Sequence, residues 1–325
     1  MRFIRTAFLA TTILTAGGSL AQADVKVVTS IKPVHSLVSA VMAGVGEPSL
    51  LVKGAGSPHT YALKPSQAQQ LQDAELVFWM SHDLEAFLEN SIESIATNAK
   101  SVPLMEAHGL TKLAFREGGA FDSHGHDDHD DHDEHKHDEH GHEDHDDHDE
   151  HAHHGEDPHV WLDPVNAKAM VHEIEEALVE ADPSNAAAYE ANAGALMSRL
   201  DDLVAEIDAE LEPVKGRGYV VFHDAYQYFE ARFGVSAVGS ITVSPEVLPG
   251  AERVAELQDK VRDLGATCVF SEPQFEPKLV VTVTENTNAG TGVLDPLGAS
   301  IKDGPDLYFT LIRNMAKSLK DCLVR

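Results

Sequence analysis

The chain has 325 residues, enough for two domains of ordinary size, and a formal net charge of −30. This acidic balance excludes nucleic acid and anionic membrane surfaces as favourable partners, because both carry negative charge. Residues 122–157 hold 17 Asp or Glu and one lysine, so they contribute −16 of that charge. The rest of the chain is only moderately acidic.

The first residues have the pattern of a secretory signal peptide over residues 1–23. Arg2 and Arg5 precede an apolar run at residues 7–14, and the sequence Ala-Gln-Ala ends at Ala23. We expect cleavage after Ala23. No later stretch reaches the roughly 18 to 20 continuous apolar residues of a membrane helix, so the sequence predicts an exported, soluble protein of a bacterial periplasm.

Short apolar runs alternate with amphipathic stretches from Asp24 onward. This alternation is typical of an α/β fold with mainly parallel strands, and it predicts an N-terminal α/β lobe over residues 24–163. The predicted strands are at residues 25–29, 49–52, 76–80 and near 102, and the predicted helices are at 33–42, 65–74 and 84–96.

A segment of extreme composition, residues 122–157, interrupts this series. It contains 13 of the 20 histidines and a single apolar side chain, Ala152. Such a segment cannot offset the entropy of ordering its backbone, so we expect a disordered loop. Closely spaced histidines supply nitrogen ligands for zinc, copper or nickel, with modest affinity and poor selectivity. The candidate loop ligands are His124, His126, His129, His132, His135, His137, His140, His142, His145, His148, His151, His153 and His154. The alternative is a solvated acidic linker whose histidines are incidental.

A helical segment is predicted over residues 164–212. Pro164 begins a helix to about residue 180, and Asp182-Pro183-Ser184 caps a second one that continues to Leu211. At 1.5 Å per residue the second helix is about 40 Å long, more than one small domain needs. We therefore expect helix 184–211 to run along both domains and connect them.

A second α/β series follows and predicts a C-terminal lobe, residues 213–325, similar to the first. Its predicted strands are at 219–222, 237–240, 267–271 and about 292–294, and its predicted helices are near 225–233, 250–264, 277–287 and 306–323.

Cys268 and Cys322 are the two cysteines of the chain. A lone pair in an oxidising compartment usually forms a disulfide, and closing a loop of about 50 residues stabilises by roughly 3 to 4 kcal/mol on the chain-entropy model. Two unpaired buried thiols are the alternative.

Three histidines outside the loop occupy strand ends or Pro-bounded turns. His59 lies in GAGSPHTYALKPS, His159 in EDPHVWLDP, and His223 directly after the strand YVVF. Ligands of open α/β sheets bind beyond the carboxyl ends of strands, where Asp295 in GVLDPLG is also expected. Three imidazoles and one carboxylate or water make a four-coordinate zinc site. Their spacing matches no short metal motif. The remaining histidines outside the loop are interpreted as non-ligands: His35, His82, His108 and His172.

Six segments carry a resemblance to a known family. They are PHTYALKPSQAQQLQDAELVFW, the His-rich insert, DPHVWLDP, VFHDAYQYF, SEPQF and VLDPLG. Together they resemble the periplasmic zinc-binding solute-binding proteins of bacterial zinc ABC importers, the ZnuA type, over essentially the whole mature chain. The resemblance implies two α/β lobes joined by one long rigid helix, with the metal in the cleft between the lobes.

The resemblance also implies the site residues. His59, His159 and His223 correspond to the three zinc-binding histidines. Many zinc-binding members have a glutamate where this chain has Pro58, which offers no side-chain ligand. Asp295 corresponds to a carboxylate ligand of manganese-binding members, so Asp295 and a water molecule are equal candidates for the fourth position.

We therefore expect a high-affinity zinc receptor, not an enzyme, that delivers Zn²⁺ to an inner-membrane ABC permease. It would act as a monomer, with periplasmic metallochaperones as further candidate partners and the His-rich loop as an accessory collector or sensor. Deletion of residues 122–157 is expected to leave one tight site. The alternatives are an exported zinc hydrolase, against which stands the lack of an HExxH motif, and a metal buffer that works without a transporter.

Overall fold

The structure is a computed structural model that describes residues 25–116, 121, 155–242, 251–263, 267–276 and 278–324. The predicted signal peptide and loop residues 122–154, with all 13 loop histidines, lie outside the described residues. Within the described ranges, no helix is both long enough and apolar enough to cross a membrane.

The first half of the chain forms a four-stranded parallel sheet. Its elements are β1 (Val27–Thr29), α1 (Lys32–Val41), β2 (Ser49–Leu50), α2 (Pro65–Gln72), β3 (Leu76–Trp79), α3 (Ala86–Ile95) and β4 (Lys100–Pro103). The strand order is β2-β1-β3-β4. All four side chains of β3 are buried, as is usual for a parallel strand that is covered on both faces.

Two consecutive helices follow, α4 (Pro164–Ala181) and α5 (Ala186–Leu211). Pro164 begins α4, and the Asp163 side chain accepts a hydrogen bond from the Val165 backbone at 2.8 Å, which caps the first turn. Short 3₁₀ turns flank the helices of the chain at Pro58–Thr60, Leu104–Glu106, Val160–Leu162, Pro183–Asn185 and Glu212–Val214.

The second half forms another parallel sheet with the same connectivity. Its elements are β5 (Gly218–His223), α6 (Gln227–Phe233), β6 (Ser236–Thr242), α7 (Ala251–Asp263), β7 (Cys268–Ser271), α8 (Lys278–Thr284), β8 (Gly290–Val293) and α9 (Leu307–Leu323). The strand order, β6-β5-β7-β8, repeats the order of the first sheet with each strand in the equivalent place. The predicted α/β fold with two similar parallel-sheet units is confirmed.

The long helix α5 contacts both halves. Its buried positions recur every three or four residues from Tyr189 to Leu211, which is the pattern of a helix with one apolar face. Asn192 of α5 donates to the Val41 carbonyl at 2.9 Å, and Arg313 of α9 pairs with Glu206 of α5 at 2.6 Å. With 26 residues, α5 is about 39 Å long. The predicted connecting helix is present.

A disulfide joins Cys268 at the start of β7 to Cys322 near the end of α9. Both cysteines are buried, so the bond lies inside the core of the second half. The predicted disulfide is confirmed in the structure.

Some predicted boundaries differ from the structure. The helix expected at residues 277–287 is shorter, because Asn286 adopts a φ of 60°, a left-handed conformation that no helix continues through. Residues 155–157, which composition assigns to the loop, are ordered. Ala114 and Glu156 form an antiparallel bridge, and the Asp157 amide donates to the Leu113 carbonyl at 2.8 Å.

Candidate metal centre

Three histidines from distant parts of the chain meet at one point. His59 lies in the 3₁₀ turn Pro58–Thr60, His159 directly precedes the turn Val160–Leu162, and His223 is the last residue of β5. One ligand atom from each lies within 4.8 Å of the other two, and the ring centroids are 5.3 to 5.9 Å apart. The structure thus brings together the three histidines that were singled out from the sequence.

His223 is held by a buried carboxylate. Its Nδ1 lies 2.7 Å from Glu272 Oε1, so Nδ1 carries the proton that the carboxylate accepts. Nε2, on the opposite edge of the ring, is buried and has no hydrogen-bond partner among the described residues. Burial disfavours the charged imidazole, but the neighbouring carboxylates, led by Glu272, outweigh it and raise the pKa of His223.

His159 has an equivalent partner in Asp157. The Nδ1 of His159 lies 2.6 Å from Asp157 Oδ1, which also accepts from the His159 backbone at 3.0 Å. Gln227 of α6 donates to the second carboxylate oxygen at 3.0 Å, and the Tyr228 hydroxyl donates to the Asp157 carbonyl at 2.8 Å. Burial raises the pKa of the Asp157 carboxyl to about 7. Helix α6 of the second half therefore orients His159 indirectly, because two of its side chains hold Asp157.

Sequence reasoning missed both carboxylates, although each had a signal. Asp157 precedes His159 by only two residues, so an acidic side chain is close in sequence to the ring that it contacts. Glu272 directly follows β7, just as His223 ends the neighbouring strand β5. Two polar residues at the carboxyl ends of paired parallel strands lie side by side.

An aromatic and proline wall closes one side of the site. The Trp161 ring centroid is 5.2 Å from that of His159, and its indole N–H donates to the Pro296 carbonyl at 2.9 Å. Phe275 is close to a second histidine, with its ring centroid 6.0 Å from that of His223. His59 is the least buried of the three histidines, so the path to solvent runs past His59.

Asp295 does not join the three histidines. Its Oδ1 accepts from the backbone amides of Leu297 and Gly298 at 3.1 and 2.8 Å, and its Oδ2 accepts from the Ala299 amide at 2.6 Å. These bonds anchor the carboxylate to the turn after β8. The group of ligand atoms within 4.8 Å contains the three histidines without Asp295, and the choice between Asp295 and a water molecule as fourth ligand stays a prediction.

The histidines interpreted as non-ligands lie apart from this group. His35 is buried with its Nε2 3.2 Å from the Pro48 carbonyl, His82 pairs with Glu89 on the surface, and His172 is on the exposed face of α4. His108 is exposed.

The donor set determines which ion the site suits. Imidazole nitrogens favour zinc, whereas manganese prefers carboxylate and carbonyl oxygens. Tetrahedral zinc with Zn–N bonds of about 2.0 to 2.1 Å needs nitrogens about 3.4 Å apart. The observed separations of up to 4.8 Å are up to about 1.4 Å longer, so the three rings would have to approach one another when zinc binds.

Residues 27–322 match the family model for the periplasmic zinc-uptake complex component A, ZnuA. The chain belongs to the ZnuA family. The match begins at the first strand and ends within the last helix, so it spans both sheets and the long helix. The family expected from the sequence segments is confirmed.

Individual relatives agree with this membership. The high-affinity zinc uptake system protein ZnuA of Brucella abortus (strain 2308) is 56% identical over 332 residues, which cover 99% of each chain. The ZnuA protein of Paracoccus denitrificans is 40% identical over 305 residues, 93% of each chain. A crystal structure of a ZnuA superposes with a TM-score of 0.73 at 26% identity, covering 92% of this chain and 100% of the other.

Proposed function

We propose that this protein captures Zn²⁺ in the periplasm with His59, His159 and His223 and delivers it to an inner-membrane ABC permease. The observation that carries the proposal is the convergence of the three imidazoles, with ligand atoms within 4.8 Å of one another, in a member of the ZnuA family. Carboxylates that accept from Nδ1 of His159 and His223 orient these two rings so that Nε2 is left to bind metal, and they make the rings more basic ligands.

The site is better suited to binding than to catalysis. A zinc hydrolase needs a general base beside the metal-bound water. The two buried carboxylates at this site, Asp157 and Glu272, instead hydrogen-bond the Nδ1 atoms of the histidines. The relatives are named as uptake components. We infer that the protein is a receptor and not an enzyme, and that zinc is its cargo.

The His-rich loop would act as an accessory collector or sensor that presents weakly held ions to the site. Its flanking residues support this placement, because Phe115 donates from its amide to the Gly155 carbonyl at 3.3 Å and the chain then leads directly to Asp157 and His159. The protein would act as a monomer. The permease is its main partner, and periplasmic metallochaperones are further candidates.

Zinc titration calorimetry of the mature protein tests the proposed site. Replacement of His159 with alanine should abolish the tight site, with a loss larger than the roughly 10- to 100-fold that removal of an outer hydrogen-bond partner costs. His172→Ala is the matched control, since His172 is on the exposed face of α4. Equal tight binding by the two variants would rule out the proposed ligand set.

A further inference from the structure

We propose that Gln274 and Ser57 hold the water molecule that completes the coordination of the bound zinc. This inference rests on the proposed function, and it names two side chains that would face the fourth position. Both residues line the cavity that also contains His59, His159 and His223.

The amide of Gln274 has a defined orientation. Its Nε2 lies 3.1 Å from Asp295 Oδ1. An ionised carboxylate only accepts hydrogen bonds, so the amide nitrogen must face Asp295 and the carbonyl oxygen must face the other way. Asp295 is itself held by the amides of the following turn. It therefore acts on the site through Gln274, as a positioning residue rather than a ligand.

Two buried side-chain oxygens at the cavity receive no hydrogen bond from the residues that the structure describes. Gln274 Oε1 and Ser57 Oγ are both beneath the surface, and neither has a hydrogen-bond partner among the described residues. His223 lines the same cavity, and its buried Nε2 also has no hydrogen-bond partner among the described residues. Buried acceptors without a donor are unfavourable and rare in native proteins. One cavity is thus lined by a nitrogen that can bind metal, His223 Nε2, and by two oxygens that can accept hydrogen bonds, Gln274 Oε1 and Ser57 Oγ.

A zinc-bound water supplies the missing donors. Zinc takes four ligands, and in a site with three protein ligands a water fills the fourth position. Metal binding polarises the O–H bonds of that water, so it donates strongly to neutral oxygens. Pro58 offers no side-chain ligand, and Asp295 is not among the ligand atoms that lie within 4.8 Å of one another. Glu272 also lines the cavity, but its Oε1 accepts from Nδ1 of His223, on the edge of the ring opposite the one that binds metal.

The kind of acceptor matters for function. Neutral amide and hydroxyl oxygens hold the water without removing its proton, whereas a carboxylate would act as a base. Gln274 and Ser57 would therefore keep the fourth ligand as exchangeable water, which a receptor that must release its ion can lose readily. The same water in a hydrolase would be converted to hydroxide.

Cobalt substitution of the full mature protein tests this assignment. One equivalent of Co²⁺ occupies the tight site and reports its ligands in the visible spectrum. We expect the wild-type spectrum to change when azide displaces the water. Gln274→Met should bind azide about tenfold more tightly and zinc about 10-fold more weakly, because the water loses its acceptor. Ser57→Ala should also bind azide more tightly and zinc more weakly, each by a smaller factor than Gln274→Met. Gln69→Met is the matched control, since Gln69 donates to Asp73 on the surface of α2.

The outcomes separate this inference from the proposed function. If zinc still binds through the histidines but azide leaves the wild-type cobalt spectrum unchanged, a side chain fills the fourth position and the inference is wrong. Unchanged azide and zinc binding in both Gln274→Met and Ser57→Ala would also overturn it. Loss of tight zinc binding in the wild-type protein itself would instead refute the proposed function. If Gln274→Met fails to fold, Ser57→Ala decides.

Discussion

The imidazole of His223 connects the proton and metal equilibria of the site. Zinc binds only the neutral ring, so protons compete with zinc at and below the pKa of His223, which its neighbouring carboxylates raise. Zinc affinity should therefore be complete at pH values above this raised pKa and fall as the pH drops through it.

Replacement of Glu272 with glutamine should move this loss of affinity to lower pH. Glutamine still accepts a hydrogen bond from Nδ1, but without the negative charge the pKa of His223 falls. Affinity at pH 8 should also decrease, by up to about tenfold, since the ring becomes a weaker base. Competition with a fluorescent zinc chelator across the pH range measures both effects. Glu89→Gln is the control, because Glu89 pairs with the exposed His82. An unchanged midpoint in Glu272→Gln would contradict this account of His223.

At this scale, sequence reasoning identified the imidazoles and missed what orients them. The histidines stand out because each lies in a motif that resembles those of the family. Asp157 is the last acid of an acid-rich run, so no local sequence pattern sets it apart from the other acids. Its burial becomes evident only in the structure. The oxygen of Gln274, which has no hydrogen-bond partner among the residues that the structure describes, owes its orientation to Asp295. No local sequence pattern encodes such an orientation.

The connection between β3 and α3 contains a buried carboxyl group with a predictable effect on stability. Glu85 accepts from the backbone amides of Met80 and Ser81 at 3.0 and 3.1 Å. Burial raises the pKa of this carboxyl from its ordinary value of 4.5 to about 7. Between these values the folded state binds the proton more tightly than the unfolded state, so the contribution of Glu85 to the free energy of unfolding falls as the pH rises through this window.

Glu85→Gln should therefore be more stable than the wild type at pH 8, by on the order of 2 to 3 kcal/mol, and about equal to it at pH 5. The neutral amide resembles the protonated acid, so the difference appears only where the wild-type carboxyl is ionised. Urea denaturation at the two pH values measures it. Glu93→Gln, an exposed position on α3, should show little change at either pH. A pH-independent difference for Glu85→Gln would exclude the raised pKa as its cause.

The disulfide between β7 and α9 should stabilise the second half without affecting the metal site. Its cysteines are 54 residues apart, so removing the bond should lower the free energy of unfolding by about 2 to 4 kcal/mol. Cys268 is at the amino end of β7, whereas Glu272 follows its carboxyl end. Replacing both cysteines with alanine should lower the urea midpoint and leave zinc affinity unchanged. The reduced wild-type protein is the control. A variant as stable as the oxidised wild type would contradict the prediction.

The elements themselves were largely predictable, because burial imposes a period on the sequence. The buried face of α5 repeats every three or four residues, and β3 is a continuous apolar run. Strand order was not predictable in the same way. Periodicity shows which face of a strand is buried but not which strand pairs with it, so the order β2-β1-β3-β4 and its repetition in the second half came from the structure.

Across the whole molecule, the metal centre depends on contacts between segments distant in sequence. His59 follows β2 of the first sheet, and His223 ends β5 of the second. His159 comes from the segment between them and is oriented from α6 through Asp157. Closing three nitrogens around one zinc ion would therefore fix the first half of the chain relative to the second. The sequence contained the ligands, but their convergence required the packing of helices from both halves on α5.

The acidic loop can now be separated from the site at a defined residue. A deletion of 122–157 would remove Asp157, which is buried and orients His159. A deletion of 122–154 would keep Asp157 and the pairing of Ala114 with Glu156. That pairing already holds the two flanking segments side by side, so the shortened connection can close.

The two deletions should consequently behave differently in zinc titrations. Removal of 122–154 should eliminate the weak sites and leave one tight site at wild-type affinity. Removal of 122–157 should also eliminate the weak sites but weaken the tight one by about 10- to 100-fold, the usual cost of losing the partner of a metal-binding histidine. Asp157→Asn in the full chain should weaken the tight site in the same direction while preserving the weak sites. Wild-type tight affinity after removal of 122–157 would show that Asp157 does not support His159, and loss of the tight site after removal of 122–154 would show that the loop is part of it.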